Sequence, residues 1–248
     1  MKFHSVVRDQ QRSAFAKYRA LYYGRAPLLE VLYTEFVLAL ANSVPGALGL
    51  WLRSKLYRTL FASVGRGVVF GRNLTLRHPQ KVRIGKHVII DDNVVLDAKG
   101  EDNRGITIGD EVYVGRNTIL YCKNGDITLE DRVNLASNCQ LFSAYRLTVG
   151  AGTVVGAFTY LLSGGEYDYT SPVPFCEQTG QPAQGELTIG RNCWLGAHVT
   201  VVDGASVGEH CVIGAGAVVT KPVPPHSVAV GVPARVVKNI QCQGLGSK

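Results

Sequence analysis

Residues 189–224, cut every six, read IGRNCW, LGAHVT, VVDGAS, VGEHCV, IGAGAV, VTKPVP. The first slot is aliphatic each time: Ile189, Leu195, Val201, Val207, Ile213 and Val219. The fifth is small or β-branched: Cys193, Val199, Ala205, Cys211, Ala217 and Val223. A strict six-residue period is the mark of a β-helix. Three hexads make one triangular coil, and each flat side turns an aliphatic residue inward. Coils stack at strand spacing, roughly 4.8 Å, so that each backbone group pairs with the coil above or below. The fourth slot falls at a corner, where Gly and Asn, and more rarely His, tolerate left-handed backbone angles.

The same register extends outward to Val64. First sides start at Val64, Ile84, Ile108, Leu129, Val149, Ile189 and Val207. Second sides start at Phe70, Ile90, Val114, Leu135, Val155, Leu195 and Ile213. Third sides start at Leu76, Leu96, Leu120, Leu141, Leu161, Val201 and Val219. The expectation is a mainly β fold, a parallel solenoid of about seven coils over residues 64–238 with a tail at 239–248. Where the spacing exceeds six, a corner bulges outward. Small bulges fall at Asp97–Gly105 and Lys123–Asp126, and a large one, 163–186, separates Leu161 from Ile189. A loop that long inside a regular solenoid points to function.

Residues 1–63 follow another pattern, helical and poor in glycine. One helix is expected over Leu28–Asn42, ended near Pro45-Gly46. A second is expected over Leu48–Phe61, where Leu48, Leu52, Leu56 and Leu60 repeat every four residues while Arg53, Lys55 and Arg58 point elsewhere. Such a segment serves as a lid over the first coil or as a basic amphipathic contact with an anionic membrane. The opening MKFHSVVRDQQRSAFAKYRA has no apolar core of a signal peptide, and Glu30 and Glu35 break the longest apolar stretch. Hydrophobic residues make up 46% and charged residues 18% of the 248, which excludes wholesale disorder. The net charge of +7 suits phosphates or a membrane surface. Six cysteines form no C-x-x-C and no zinc spacing. A reduced, cytoplasmic protein is expected, peripheral at the inner face of the membrane if residues 1–63 touch lipid.

The run IGRNCWLGAHVTVVDGASVGEHCVIGAGAVVTKPVPPHSVAVGVPARVV, with the interrupting loop before it, resembles the hexapeptide-repeat acyltransferases, sugar O-acetyltransferases among them. The resemblance covers roughly residues 64–238. It implies a left-handed β-helix, a homotrimer, and acetyl-CoA or another acyl-CoA bound between neighbouring solenoids. The acyl group would go to a hydroxyl or amine of a saccharide or similar small acceptor. A base must take the acceptor's proton, and the family usually supplies a histidine from the loop. This loop reads Ser163-Gly164-Gly165-Glu166-Tyr167-Asp168-Tyr169, and no histidine stands at 166 or 167. Glu166, Asp168 and His198 are therefore the candidate catalytic residues. His198 and His210 both occupy corner slots, where a purely structural turn role accounts for them. For CoA the resemblance points to Trp194, to the small residues Gly214 and Ala215, and to Lys221 and Arg235 for the phosphates. Cys193 and Cys211 fill equivalent inward slots and read as core.

Two functional classes stay open: an acyl-CoA-dependent O- or N-acyltransferase, and a non-catalytic β-helix that lost the loop histidine and acts as a binding or scaffold trimer. A zinc hydratase on the same solenoid needs three histidines around an open metal position, and no such cluster occurs, so no metal is expected. Residues 1–63 are too short for the nucleotide-binding domain of a sugar nucleotidyltransferase. Nothing beyond net charge suggests nucleic acid.

Overall fold

A computed structural model describes residues 11–24, 26–165, 167–178 and 180–240. From Ser63 onward the chain winds as a left-handed β-helix, with one parallel sheet on each of its three sides. The pairing follows the hexad register. On the first side Val64 lies beside Ile84, Ile84 beside Ile108, and Leu129 between Ile108 and Val149. Ile189 then joins Val149 to Val207. The second side runs Phe70, Ile90, Val114, Leu135, Val155, Leu195, Ile213. The third runs Leu76, Leu96, Leu120, Leu141, Leu161, Val201, Val219. All of these are buried except Val64, which packs half-buried against the same core. Each such side chain contributes about 1.5–3 kcal/mol by leaving water.

The corners take the residues that left-handed backbone favours. Between second and third sides stand Asn73, Asn93, Asn117, Asn138, Phe158 and His198, all at positive φ. The amide of Asn73 donates to Asn93 at 3.3 Å, and that of Asn117 to Asn138 at 3.1 Å. Phe158 is the bulky departure from this ladder. Its ring lies flat on the His198 imidazole, with centroids 4.9 Å apart and planes within 3°.

Among the described residues three helices precede the solenoid: α1 (Ala14–Tyr22), α2 (Leu28–Ala41) and α3 (Gly46–Leu56), followed by a 3-10 turn at Tyr57–Thr59. Val37, Ala41, Tyr57, Leu60 and Phe61 join the solenoid core. The Phe61 ring stacks on Phe70 at 5.6 Å and Tyr57 meets it edge-on at 5.5 Å. The open end of the first coil is thereby covered. At the far end Ser227–Val230 adds to the second sheet and turns back antiparallel on Arg235–Asn239.

The expected amphipathic helix over Leu48–Phe61 needs correcting. It ends at Leu56, and while Leu52, Leu56 and Leu60 face the core as their spacing suggested and Lys55 and Arg58 point outward, two positions depart from that pattern. Leu48 is exposed, whereas Arg53 is buried. The Arg53 guanidinium donates to three backbone carbonyls, those of Phe70 (2.9 Å), Ala41 (3.1 Å) and Val44 (2.8 Å). Those oxygens have left water, and three buried acceptors without a donor, at roughly 1–3 kcal/mol each, together cost more than one leucine gains by turning inward. Gly49 makes the fit: a Cβ there would sit 1.8 Å from the Val44 carbonyl oxygen and 2.8 Å from the Arg53 fork.

Candidate active site

The long loop leaves the third side after Tyr160–Ser163 and rejoins the first side at Leu187–Ile189. Both of its feet are held by one carboxylate. Asp203 is buried at the next coil's corner. Its Oδ1 accepts from the Gly164 N–H at 2.7 Å and its Oδ2 from the Gln184 N–H at 2.8 Å. Gly165 stands at φ +97°, and a Cβ there would press to 3.0 Å on the Phe142 ring. The chain therefore leaves the coil where no larger residue fits without strain. Within the loop Gln178 joins two limbs. It accepts from the Asp168 N–H at 2.9 Å and donates to the carbonyls of Asp168 (2.9 Å) and Val173 (2.8 Å). Tyr167 packs on Phe175 with ring centroids 5.9 Å apart.

Of the two loop carboxylates singled out from sequence, Glu166 lies outside the described residues. Asp168 is placed, and its Oδ1 accepts from both the hydroxyl (2.6 Å) and the N–H (2.9 Å) of Thr170. These bonds hold its carboxyl below the usual range. That is the wrong direction for a base poised near neutrality; Asp168 shapes a turn.

His198 sits at a different corner, between the second and third sides. The loop feet and Asp203 stand at the other end of the third side. Five residues at roughly 3.3 Å each put the two corners about 16 Å apart along the strand. One chain therefore does not bring the loop feet and His198 together. The imidazole is exposed and fixed in orientation by Phe158. Next to it on the second side, Trp194 is exposed and pairs in register with Val154 and Val212.

Gly214 and Ala215 occupy the coil above Trp194, on the same sheet. At Gly216 the added-Cβ position meets nothing within 4 Å, so the turn is open on its outer side. A narrow, unbranched chain fits against such a corner. Arg235 and Lys238 lie exposed on the hairpin strand that extends this sheet, and Lys221 is exposed at the corner after the third side. The site residues thus divide into one group on the second sheet (Trp194, Gly214, Ala215, Arg235), His198 at its edge, and Lys221 and the loop on another corner.

The remaining groups are structural. Cys193 and Cys211 are buried in the core, and burial pushes the Cys193 thiol up to about 11. Among the described residues no group of three or more His, Cys, Asp or Glu gathers as metal ligands do. A cavity of about 650 Å³ lies between α1 and the corners of the first two coils, lined by His78, Lys81 and Lys99 among others. His78 is buried there with Nδ1 lacking a hydrogen-bond partner. Burial and the charges of Lys81, Lys99 and Arg77 pull its pKa down to about 4. This cavity stands at the helical end, about three coils from the long loop.

The sequence reading missed Asp203 as the anchor of the loop. The only signal was an acid in the third slot of VVDGAS, in the first coil after the interruption.

Comparison with known proteins bears on these last coils. Residues 187–221 match the sequence model of the bacterial transferase hexapeptide (six repeats). A putative acetyltransferase of Staphylococcus aureus (strain Mu50) is 36% identical over 129 residues, 46% of this chain. The galactoside O-acetyltransferase of Escherichia coli K12 is 32% identical over 133 residues, 53% of this chain. The chain spans 65% and 56% of the length of these two relatives. Among solved structures, AntD, an N-acyltransferase from Bacillus cereus in complex with dTDP and 3-hydroxybutyryl-CoA, superposes with a TM-score of 0.55. That match has 20% identity and covers 81% of this chain and 91% of that one. The UDP-N-acetylglucosamine acyltransferase of Campylobacter jejuni gives 0.55 at 15% identity, covering 71% of this chain and 63% of that one.

Proposed function

We propose, from the premise that this chain carries the bacterial-transferase hexapeptide on a left-handed β-helix and resembles sugar O-acetyltransferases, that it moves an acyl group from acyl-CoA to a saccharide hydroxyl or amine. One observation carries the reading. The solenoid is interrupted by one long loop among the described residues, and that loop is anchored by Asp203, which lies within the hexapeptide-matched residues 187–221. A solenoid used as a spacer has no need of such a feature.

In this reading acetyl-CoA is the donor. Its pantetheine lies along the Gly214–Gly216 turn beside Trp194, and its phosphates meet Lys221 and Arg235. Side chains that sit on separate corners of one chain converge across the cleft of a homotrimer. The loop of one protomer then faces His198 of its neighbour. His198 takes the proton of the acceptor, the new bond forms at the thioester carbon, and the C–S bond breaks to release CoA thiol. The exposed imidazole, pinned by Phe158, supports that role. A non-catalytic trimer is the second reading, favoured by Asp168, whose carboxyl is held ionised by Thr170. In this reading the protein works in the cytoplasm, where acetyl-CoA is supplied.

The test is a calorimetric titration with acetyl-CoA, read beside light scattering. Saturable binding to a trimer, weakened by Lys221→Ala and Arg235→Ala, supports the proposal. A monomer that ignores acetyl-CoA rejects it.

A further inference from the structure

Helices α2 and α3 present an apolar face that the rest of the described chain leaves uncovered. α2 is apolar on two sides. Val31, Thr34, Val37 and Ala41 are buried inward. On the other side stand Leu29 (81% exposed), Leu32, Phe36 (61%) and Leu40, at the spacing of one helix face. α3 packs against α2 and adds Leu48 (62%) and Trp51 (58%). A contiguous exposed apolar patch of this kind marks an interaction surface. Arg53 makes the pair of helices one body. Its bonds to the Ala41 and Val44 carbonyls fix the turn between them and its bond to Phe70 fixes both to the first coil.

We propose that this face docks on a membrane surface containing anionic lipid. Charge selects that occupant. The exposed cations Lys55 and Arg58 follow directly at the end of α3, Glu30 is the one exposed acid within α2 and α3, and the whole chain carries +7. Trp51 and Tyr33 supply the amphipathic rings that favour the headgroup boundary. Depth follows from length. α2 has 14 residues, about 21 Å at 1.5 Å per residue, and no described helix is long and apolar enough to cross a bilayer. The pair lies in the interface plane, apolar side down. The solenoid, rooted on these helices through Phe70, is thereby held at the membrane. This inference does not depend on the acyltransferase reading.

The experiment uses the full chain with Trp194→Phe, which leaves Trp51 as the single tryptophan. Vesicles are phosphatidylcholine alone or with phosphatidylglycerol. Flotation with the mixed vesicles and a blue shift of Trp51 emission are expected. In Leu29→Ser/Phe36→Ser, partition should fall about a hundredfold, since each side chain is worth about tenfold on burial. Both positions are exposed, so thermal melting should match the parent. Lys55→Glu should weaken binding to the mixed vesicles alone. Failure to float, or equal flotation of the double variant, overturns the proposal. So does a double variant that changes oligomeric state while the parent ignores vesicles, because a second copy would then be the occupant.

Discussion

Replacing Asp203 with alanine removes the one carboxylate that holds both feet of the long loop. Hydrogen bonds to a charged acceptor contribute roughly 1.5–3 kcal/mol each, so the two together are worth about 3–6 kcal/mol of local stability. At 1.4 kcal/mol per tenfold, the closed population of the loop relative to its opened forms should fall by about 10²–10⁴. Amide hydrogen exchange reads this directly at Gly164 and Gln184, whose N–H groups lose their acceptor. The amides of Ile84 and Ile90, in early coils, should exchange as in the parent. Asp203→Asn should fall between, because one oxygen survives while an amide N–H now faces a peptide N–H. If the loop borders the reacting groups, kcat/KM for acyl transfer should fall at least about tenfold as well. Gly164 and Gln184 exchanging within about threefold of the parent in Asp203→Ala would refute the anchoring argument.

Lys221→Ala and Arg235→Ala should each weaken acetyl-CoA binding about tenfold or more, since charged phosphate contacts are worth roughly 1.5–3 kcal/mol; calorimetry checks this, and unchanged affinity in both rejects the assignment. His198→Asn suits the left-handed corner and should lower kcat by about 10²–10⁴ while sparing trimer and CoA affinity; Glu166→Gln alone having that effect would move the base to the loop. Arg53→Leu should destabilise the protein by about 3–5 kcal/mol by leaving buried carbonyls without donors, read by denaturant unfolding. His78 has its pKa depressed in the fold to about 4 from 6.5, so the unfolded chain binds its proton first. Its contribution is present above pH 6.5 and falls by about 3 kcal/mol as pH drops toward 4. Burial raises the carboxyl of Asp97, which acts in the opposite sense; the difference between parent and His78→Asn stability against pH isolates the histidine.

The solenoid was legible because its core is written locally. One aliphatic residue per side, repeated every six, fixes which way each strand faces, and Ile189 or Leu195 has no other place to go. Corners were legible for the same reason, since only a few residue types accept left-handed angles. What the sequence concealed lies in contacts between distant positions. Asp203 finds its partners 39 and 19 residues earlier, and no local pattern marks that. Arg53 was misread because leucine spacing suggests a face, whereas three carbonyls from separate segments decide which side turns inward. The apolar exterior of α2 is hidden likewise: apolar residues at helical spacing run along both sides, Val31, Val37 and Ala41 on one and Leu29, Leu32, Phe36 and Leu40 on the other, and only the packed structure shows which row is covered. The base is unread for a different reason, because the loop position where the resemblance expects histidine carries Glu166 or Tyr167.

Acyl transfer can be read by incubating the protein with radiolabelled acetyl-CoA and a panel of saccharide acceptors. Label should become covalently joined to at least one acceptor, with equal release of CoA thiol, and neither product should form with the His198→Asn protein. Full acetyl-CoA recovery with every acceptor, identical for parent and variant, would contradict that transfer.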